Sequence, residues 1–143
     1  MQLDKHETAI TTRKFLKSQL EHYINIAGYQ KENLFKDISL SRPEFRRNNG
    51  CWTDKSIRLL NYANHILKAV KKAYMKLDGT SKKIIELTIE GCTNVDLQKV
   101  LGYSARSVVN YKKRAFIKFA TNLESSKVNN NCAELPSLVV YRE

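Results

Sequence analysis

The sequence predicts an all-α protein: a helical N-terminal part, a long central helix and a C-terminal helix-turn-helix. Three observations predict it. Apolar residues recur every three to four positions over long stretches, the spacing of one helix face. Gly and Pro number only five and two in 143 residues, too few for the many turns of a β sandwich. Capping and stop residues bracket the periodic stretches, with Thr53, Asp54, Thr93, Asn94 and Ser104 at starts and Gly28, Gly79, Gly91 and Gly102 at ends.

The first helix is predicted over about Lys5 to Ala27, where Leu16, Leu20, Tyr23, Ile24 and Ala27 share a face and Gly28 stops it. From Tyr29 to Thr53 the period breaks at a Pro and an Asn-Asn-Gly turn signal. This reads as a connection carrying a short helical turn, anchored by Leu34, Phe35, Phe45 and Trp52. Its basic cluster of Arg42, Arg46 and Arg47 is either a solvated face or a phosphate contact. A long helix follows, Asp54 to Leu77. Leu59, Ala63, Ile66, Val70, Ala73 and Leu77 step alternately by four and three, with Leu60, Leu67 and Tyr74 widening the stripe. A core helix of a small bundle is favoured over a seam between subunits, because three heptads are short for a coiled coil.

Three tighter elements come next. Ser81 to Glu90 carries Ile84, Ile85, Leu87, Thr88 and Ile89. A helix capped by Thr93 or Asn94, with Asp96 in its first turn, gives Val95, Leu97, Val100 and Leu101 to a core and ends at Gly102. Gly102-Tyr103-Ser104 is a tight turn. The last helix runs from about Ser104 to Leu123, with Val108, Tyr111, Ala115 and Phe119 forming the buried stripe and Phe116 and Leu123 at its edges. The polar, Asn-rich segment 124–143 is expected to be mobile or lightly docked. The chain thus divides into 1–53, 54–79, the helix-turn-helix 80–123 and the tail 124–143.

Lys and Arg total 25 against 14 acids, a net charge of +11. The excess is local: residues 54–123 hold 14 basic and five acidic residues, whereas 1–53 carry only +3 and 124–143 carry −1. Such a basic block points to a polyanionic partner. No run approaches the roughly 18 apolar residues of a membrane span, and the opening MQLDKHETAI lacks an apolar signal core. A cytoplasmic protein without a membrane partner is expected. Cys51, Cys92 and Cys132 are odd in number and scattered, with His6, His22 and His65 elsewhere. They read as reduced thiols and ordinary histidines, with neither metal nor cofactor. An enzyme is the least favoured class, for the chain holds no Gly-rich phosphate loop, H-E-x-x-H or G-x-S-x-G. Glu86 and Glu90, one turn apart, read as a solvated face.

A short amphipathic helix, a Gly-containing turn and a longer helix form the layout of a helix-turn-helix. If Val108, Tyr111 and Ala115 face inward, then Arg106, Ser107, Val109, Asn110 and Lys113 face a major groove. Arg and Asn suit bidentate contacts to guanine and adenine, Ser adapts to either, and Val meets a thymine methyl. Ser104, Lys112, Arg114 and Lys118, with Lys99 and the helix start at Asn94, are placed for phosphate, which positions without specifying. No acid interrupts Ser104 to Leu123. Double-stranded DNA is the predicted partner.

The stretch LQKVLGYSARSVVNYKKRAFIKFA resembles the C-terminal signature of the ArpU family of phage-encoded transcriptional regulators. Leu101, Gly102, Tyr103 and Ser104 match its turn, and Arg106, Tyr111, Lys112, Lys113, Arg114, Ala115, Phe119 and Ala120 match its helix by type. The unit is also similar to region 4 of bacterial sigma factors, a helix-turn-helix that reads promoter DNA. The likeness covers Asp78 to Ala120; the N-terminal half matches in layout alone, and the tail continues past the signature. It implies an activator of phage late genes for lysis, packaging or structural proteins. The setting is a bacterial host, on the nucleoid, with host RNA polymerase as a second partner and the protein acting as a monomer or homodimer. Two other functions fit the same residues: the DNA-recognising small terminase subunit of a phage packaging motor, and a helical protein-interaction module whose basic face docks on an acidic surface.

Overall fold

A computed structural model describes residues 2–28, 54–129 and 137–142. The expectations placed on Leu34, Phe35, Arg42, Phe45, Arg46, Arg47, Cys51, Trp52 and Cys132 lie outside them. The architecture is all-α. The strands β1 (Gln2–Leu3) and β2 (Tyr141–Arg142) add a single antiparallel pairing, Gln2 opposite Arg142 and Leu3 opposite Tyr141.

The first helical run starts at Asp4, whose carboxylate accepts from the Glu7 N–H at 3.1 Å, and ends at Gly28. It comprises α1 (Lys5–Lys14), a wide π turn (Phe15–Gln19) and α2 (Leu20–Ala27). The π turn has a physical use. Thr8, Thr12, Leu16, Leu20 and Ile24 are all buried at steps of four, and each such step overshoots a regular α-helical turn by about 40°. A turn that winds less per residue takes up part of that drift, keeping one face on the core. The two buried threonines are both satisfied, one within the helix and one across the chain: Thr12 Oγ1 donates to the Thr8 carbonyl at 2.8 Å, and Thr8 Oγ1 accepts from the Val140 N–H at 3.0 Å.

The long helix α3 (Asp54–Met75) buries Leu60, Ala63, Ile66, Leu67, Ala69, Val70, Ala73 and Tyr74, facing α2 and α6 of the same chain. Its stripe is therefore packed within the monomer. Leu59, expected in that stripe, is 47% exposed, because it lies about 100° of helix rotation from Leu60, which is buried. Three helices follow: α4 (Gly79–Ile89), α5 (Asn94–Leu101) and α6 (Ala105–Asn129). The last extends past its expected end at Leu123.

Two apolar clusters result. The larger gathers Phe15, Leu20 and Ile24, the α3 stripe, Ile85 and Ile89 of α4, and Phe116, Phe119, Ala120 and Leu123 of α6. The smaller holds Leu87, Leu97 and Val108, one residue from each of α4, α5 and α6, ringed by Cys92, Leu101 and Tyr103. Burying each such Leu, Val or Phe stabilises by about 1.5–3 kcal/mol. The tail segment is docked: Leu138 is buried in the larger cluster, Ser137 donates to Glu124 at 3.0 Å, and the Asp4 N–H donates to the Val140 carbonyl at 2.8 Å. Among the described residues no helix is long and apolar enough to cross a membrane.

Candidate nucleic-acid interface

The smaller cluster holds α4, α5 and α6 together, and local chemistry sets their angles. Thr93 caps α5 in a reciprocal box: Thr93 Oγ1 accepts from the Asp96 N–H at 3.3 Å, and Asp96 Oδ2 accepts from the Thr93 N–H at 3.0 Å. Those Thr93 donors hold the Asp96 carboxyl below the usual carboxylate range. α5 ends at Gly102, where φ is 72°, a left-handed conformation that glycine adopts without strain. A Cβ there would meet nothing within 4 Å, so the backbone angle rather than space requires glycine. Ser104 then caps α6, its Oγ accepting from the Ser107 N–H at 3.3 Å.

The turn points the first half of α6 outward. Arg106, Asn110 and Lys113 are exposed and Val109 is 52% exposed. Positions 106, 109, 110 and 113 are spaced zero, three, four and seven, so they share one face. Ser107 is set back, half-buried, its hydroxyl bonded to Ser104 at 3.1 Å. Lys99 is exposed on α5.

The flanks depart from expectation in three places. Tyr111 does not line the buried stripe; it is 37% exposed and stacks on Tyr103 with ring centroids 4.9 Å apart, while Arg114 lies 6.0 Å over its ring. Lys112, expected on the outer phosphate side, is buried at 8% exposure. Its ammonium donates to Asn94 Oδ1 at 2.9 Å and sits 5.8 Å over the Phe116 ring. The reason for both is that α1 packs along α6, so the covered arc is centred on Val108, Lys112, Ala115 and Phe119 rather than on Tyr111. Burial, together with the neighbouring cations Lys17 and Arg13, pulls the Lys112 pKa below the ordinary lysine value. Asn94 thereby serves Lys112 with its side chain. Lys118 pairs with Asp78 at 3.4 Å, both well exposed, a contact worth little in water.

The sequence placed α1 correctly but gave no sign of its part in the site. With Asn94, Val109, Lys112, Lys113 and Phe116 that helix borders a groove of about 200 Å³, to which it contributes Arg13. Arg13 and Lys17 sit one turn apart in the sequence, but nothing local says which helix they will meet. The described residues hold no group of three His, Cys, Asp or Glu side chains able to bind a metal. Glu86 instead accepts a short hydrogen bond from the Tyr74 hydroxyl, whose pKa is raised by burial and by that carboxylate. Comparison of the chain with protein-family models, curated proteins and solved structures gives no match.

Proposed function

We propose that this protein is a sequence-specific DNA-binding regulator of phage transcription, related to the ArpU-like regulators and acting as an activator of late genes. The observation that carries the reading is the solvent-facing row Arg106, Val109, Asn110 and Lys113 at the start of a helix anchored by its other face. A recognition helix needs this division, base-reading groups near its N-terminus and an apolar underside that fixes its angle. The basic excess of residues 54–123 supplies the non-specific attraction to phosphate. Double-stranded DNA is the partner in this reading, host RNA polymerase a second one, and the bacterial cytoplasm the setting, with the protein working as a monomer or homodimer.

The test is chromatin pull-down of the tagged protein from an induced host, with an Arg106/Asn110/Lys113 triple-alanine variant alongside. A sharp peak upstream of late genes that vanishes in the variant supports the regulator. Enrichment at the packaging start would transfer the same helix to a small terminase subunit. Absence of any DNA enrichment would leave a protein-docking module and sink the reading.

A further inference from the structure

The groove between α1 and α6 has an electrostatic composition that packing alone does not call for. Its walls are apolar where Ile10 and Phe116 line them, yet Lys112 is buried among them. The hydrogen-bond acceptor described for that ammonium is neutral, the Asn94 carbonyl oxygen. Arg13 and Lys113 border the same groove, and Lys17 is close enough to act on Lys112. None of these four cations forms an ion pair with a carboxylate among the described residues. The Asp96 carboxylate, on the first turn of α5, is held by Thr93. A buried cation with like-charged neighbours is costly, and an apolar side chain of similar length would fill the same space at less cost. Three cations on one groove with apolar walls, and Lys17 near enough to add to them, make a field that favours one compact anion.

We propose that this groove is a phosphate-binding site, in which Lys112 forms the floor and Arg13 and Lys113 close over a single phosphate group. The volume holds one phosphate group: about 200 Å³ lies below the roughly 300–1,000 Å³ of pockets that enclose whole small molecules, so the rest of any larger ligand would lie outside the groove. The guanidinium of Arg13 provides the planar fork suited to two phosphate oxygens, and the lysines provide point charges. The phosphate belongs either to a DNA backbone flanking the bases that Arg106 and Asn110 would read or to the end of a free phosphorylated molecule. The site stands on the groove itself, apart from the DNA reading above.

The test titrates orthophosphate and pyrophosphate into the full-length protein at constant ionic strength set with chloride. It is read by the backbone amide resonances of Asn94, Lys112 and Lys113 and by melting temperature. Saturable binding is expected, weakened about tenfold by Arg13→Ala, which removes a charge-assisted hydrogen bond at an exposed position. Lys112→Met should abolish the response while melting no lower than wild type in chloride, a combination that a purely structural lysine would not give. Responses to phosphate no larger than those to chloride, or unaltered by Arg13→Ala, would overturn the site. The source of the phosphate is settled in a second arm. If it is DNA, pyrophosphate competes with duplex, and Arg13→Ala weakens all duplexes alike and lowers the salt slope by about one. If it is a free molecule, phosphate binding persists and duplex affinity ignores Arg13. The first arm contains no DNA, so failure of the transcription reading leaves its result intact.

Discussion

The two halves of α6 behave as different materials although they are one unbroken helix. From Ala105 to Arg114 the buried positions are Val108 and Lys112, and four residues are basic; from Ala115 to Ser126 six positions are buried and the charges reduce to Lys118 and Glu124. The second half is covered by α1, α3 and α4, and the first is held by α5 and the edge of α1. Identical backbone geometry therefore yields a core element at one end and a presented surface at the other, decided by what packs against it. The continuity also matters for function. At about 1.5 Å per residue, 25 residues make a rod of about 37 Å, so the exposed row is fixed to the main core rather than carried on a loop. Groups held on rigid elements keep the angles that base recognition requires.

The largest expected effect tests whether the second half is the anchor. Phe119 is fully buried, and Phe119→Ala should cost about 3–5 kcal/mol of stability in urea unfolding, enough to unfold a marginal domain. By contrast Arg106→Ala and Asn110→Ala should leave stability within about 0.5 kcal/mol. They should lower affinity for the preferred duplex by about 1–3 kcal/mol each and relax preference at one base position. If the exposed variants proved as destabilising as Phe119→Ala, the division of α6 into anchor and reader would be wrong. If they bound every duplex equally less well, the reader would be a phosphate grip.

That division was half legible in the sequence, and the limit was geometric. Signals that act within a few residues read through: the start of α5 at Thr93 or Asn94 with Asp96 in its first turn, the stops at Gly28 and Gly102, the Ser104 cap, and the stripe of α3 from Leu60 to Tyr74. The outward row at 106, 109, 110 and 113 followed from helical spacing and the placing of Val108. What failed was rotation. Tyr111 and Lys112 are neighbours, about 100° apart on the helix, and both have apolar stems that can lie on a core. Only the return of α1, roughly a hundred residues earlier, decides that Lys112 is covered and Tyr111 is not. The docking of the tail onto β1 has the same character: Val140 and Tyr141 carry no periodic signal, and their partners lie at the opposite end of the chain.

Smaller effects probe the joint between the halves and α5. Gly102→Ala should cost about 1–2 kcal/mol, since the left-handed φ of 72° is strained for any residue with a Cβ. The loss should appear in both urea unfolding and duplex binding, because the turn aims α6. A variant that lost stability but kept full affinity would show that the angle of the turn is unimportant for reading.

The smallest effect is a pH dependence at the start of α5. The Asp96 carboxyl titrates below its ordinary value of 3.8 because its charged form accepts from Thr93 and sits at the positive end of a helix. A carboxyl whose folded pKa is depressed adds stability that is complete above the unfolded value and is lost as pH falls through the folded one. Asp96→Asn keeps the shape and an acceptor oxygen but removes the charge. Wild type should therefore exceed the variant by a constant margin at neutral pH, and the margin should shrink once pH passes below 3.8. A margin that persisted unchanged well into acid would mean that the box holds α5 by hydrogen bonding alone. The support beneath the reading half of α6 would then be independent of charge, as its apolar anchor in the other half is.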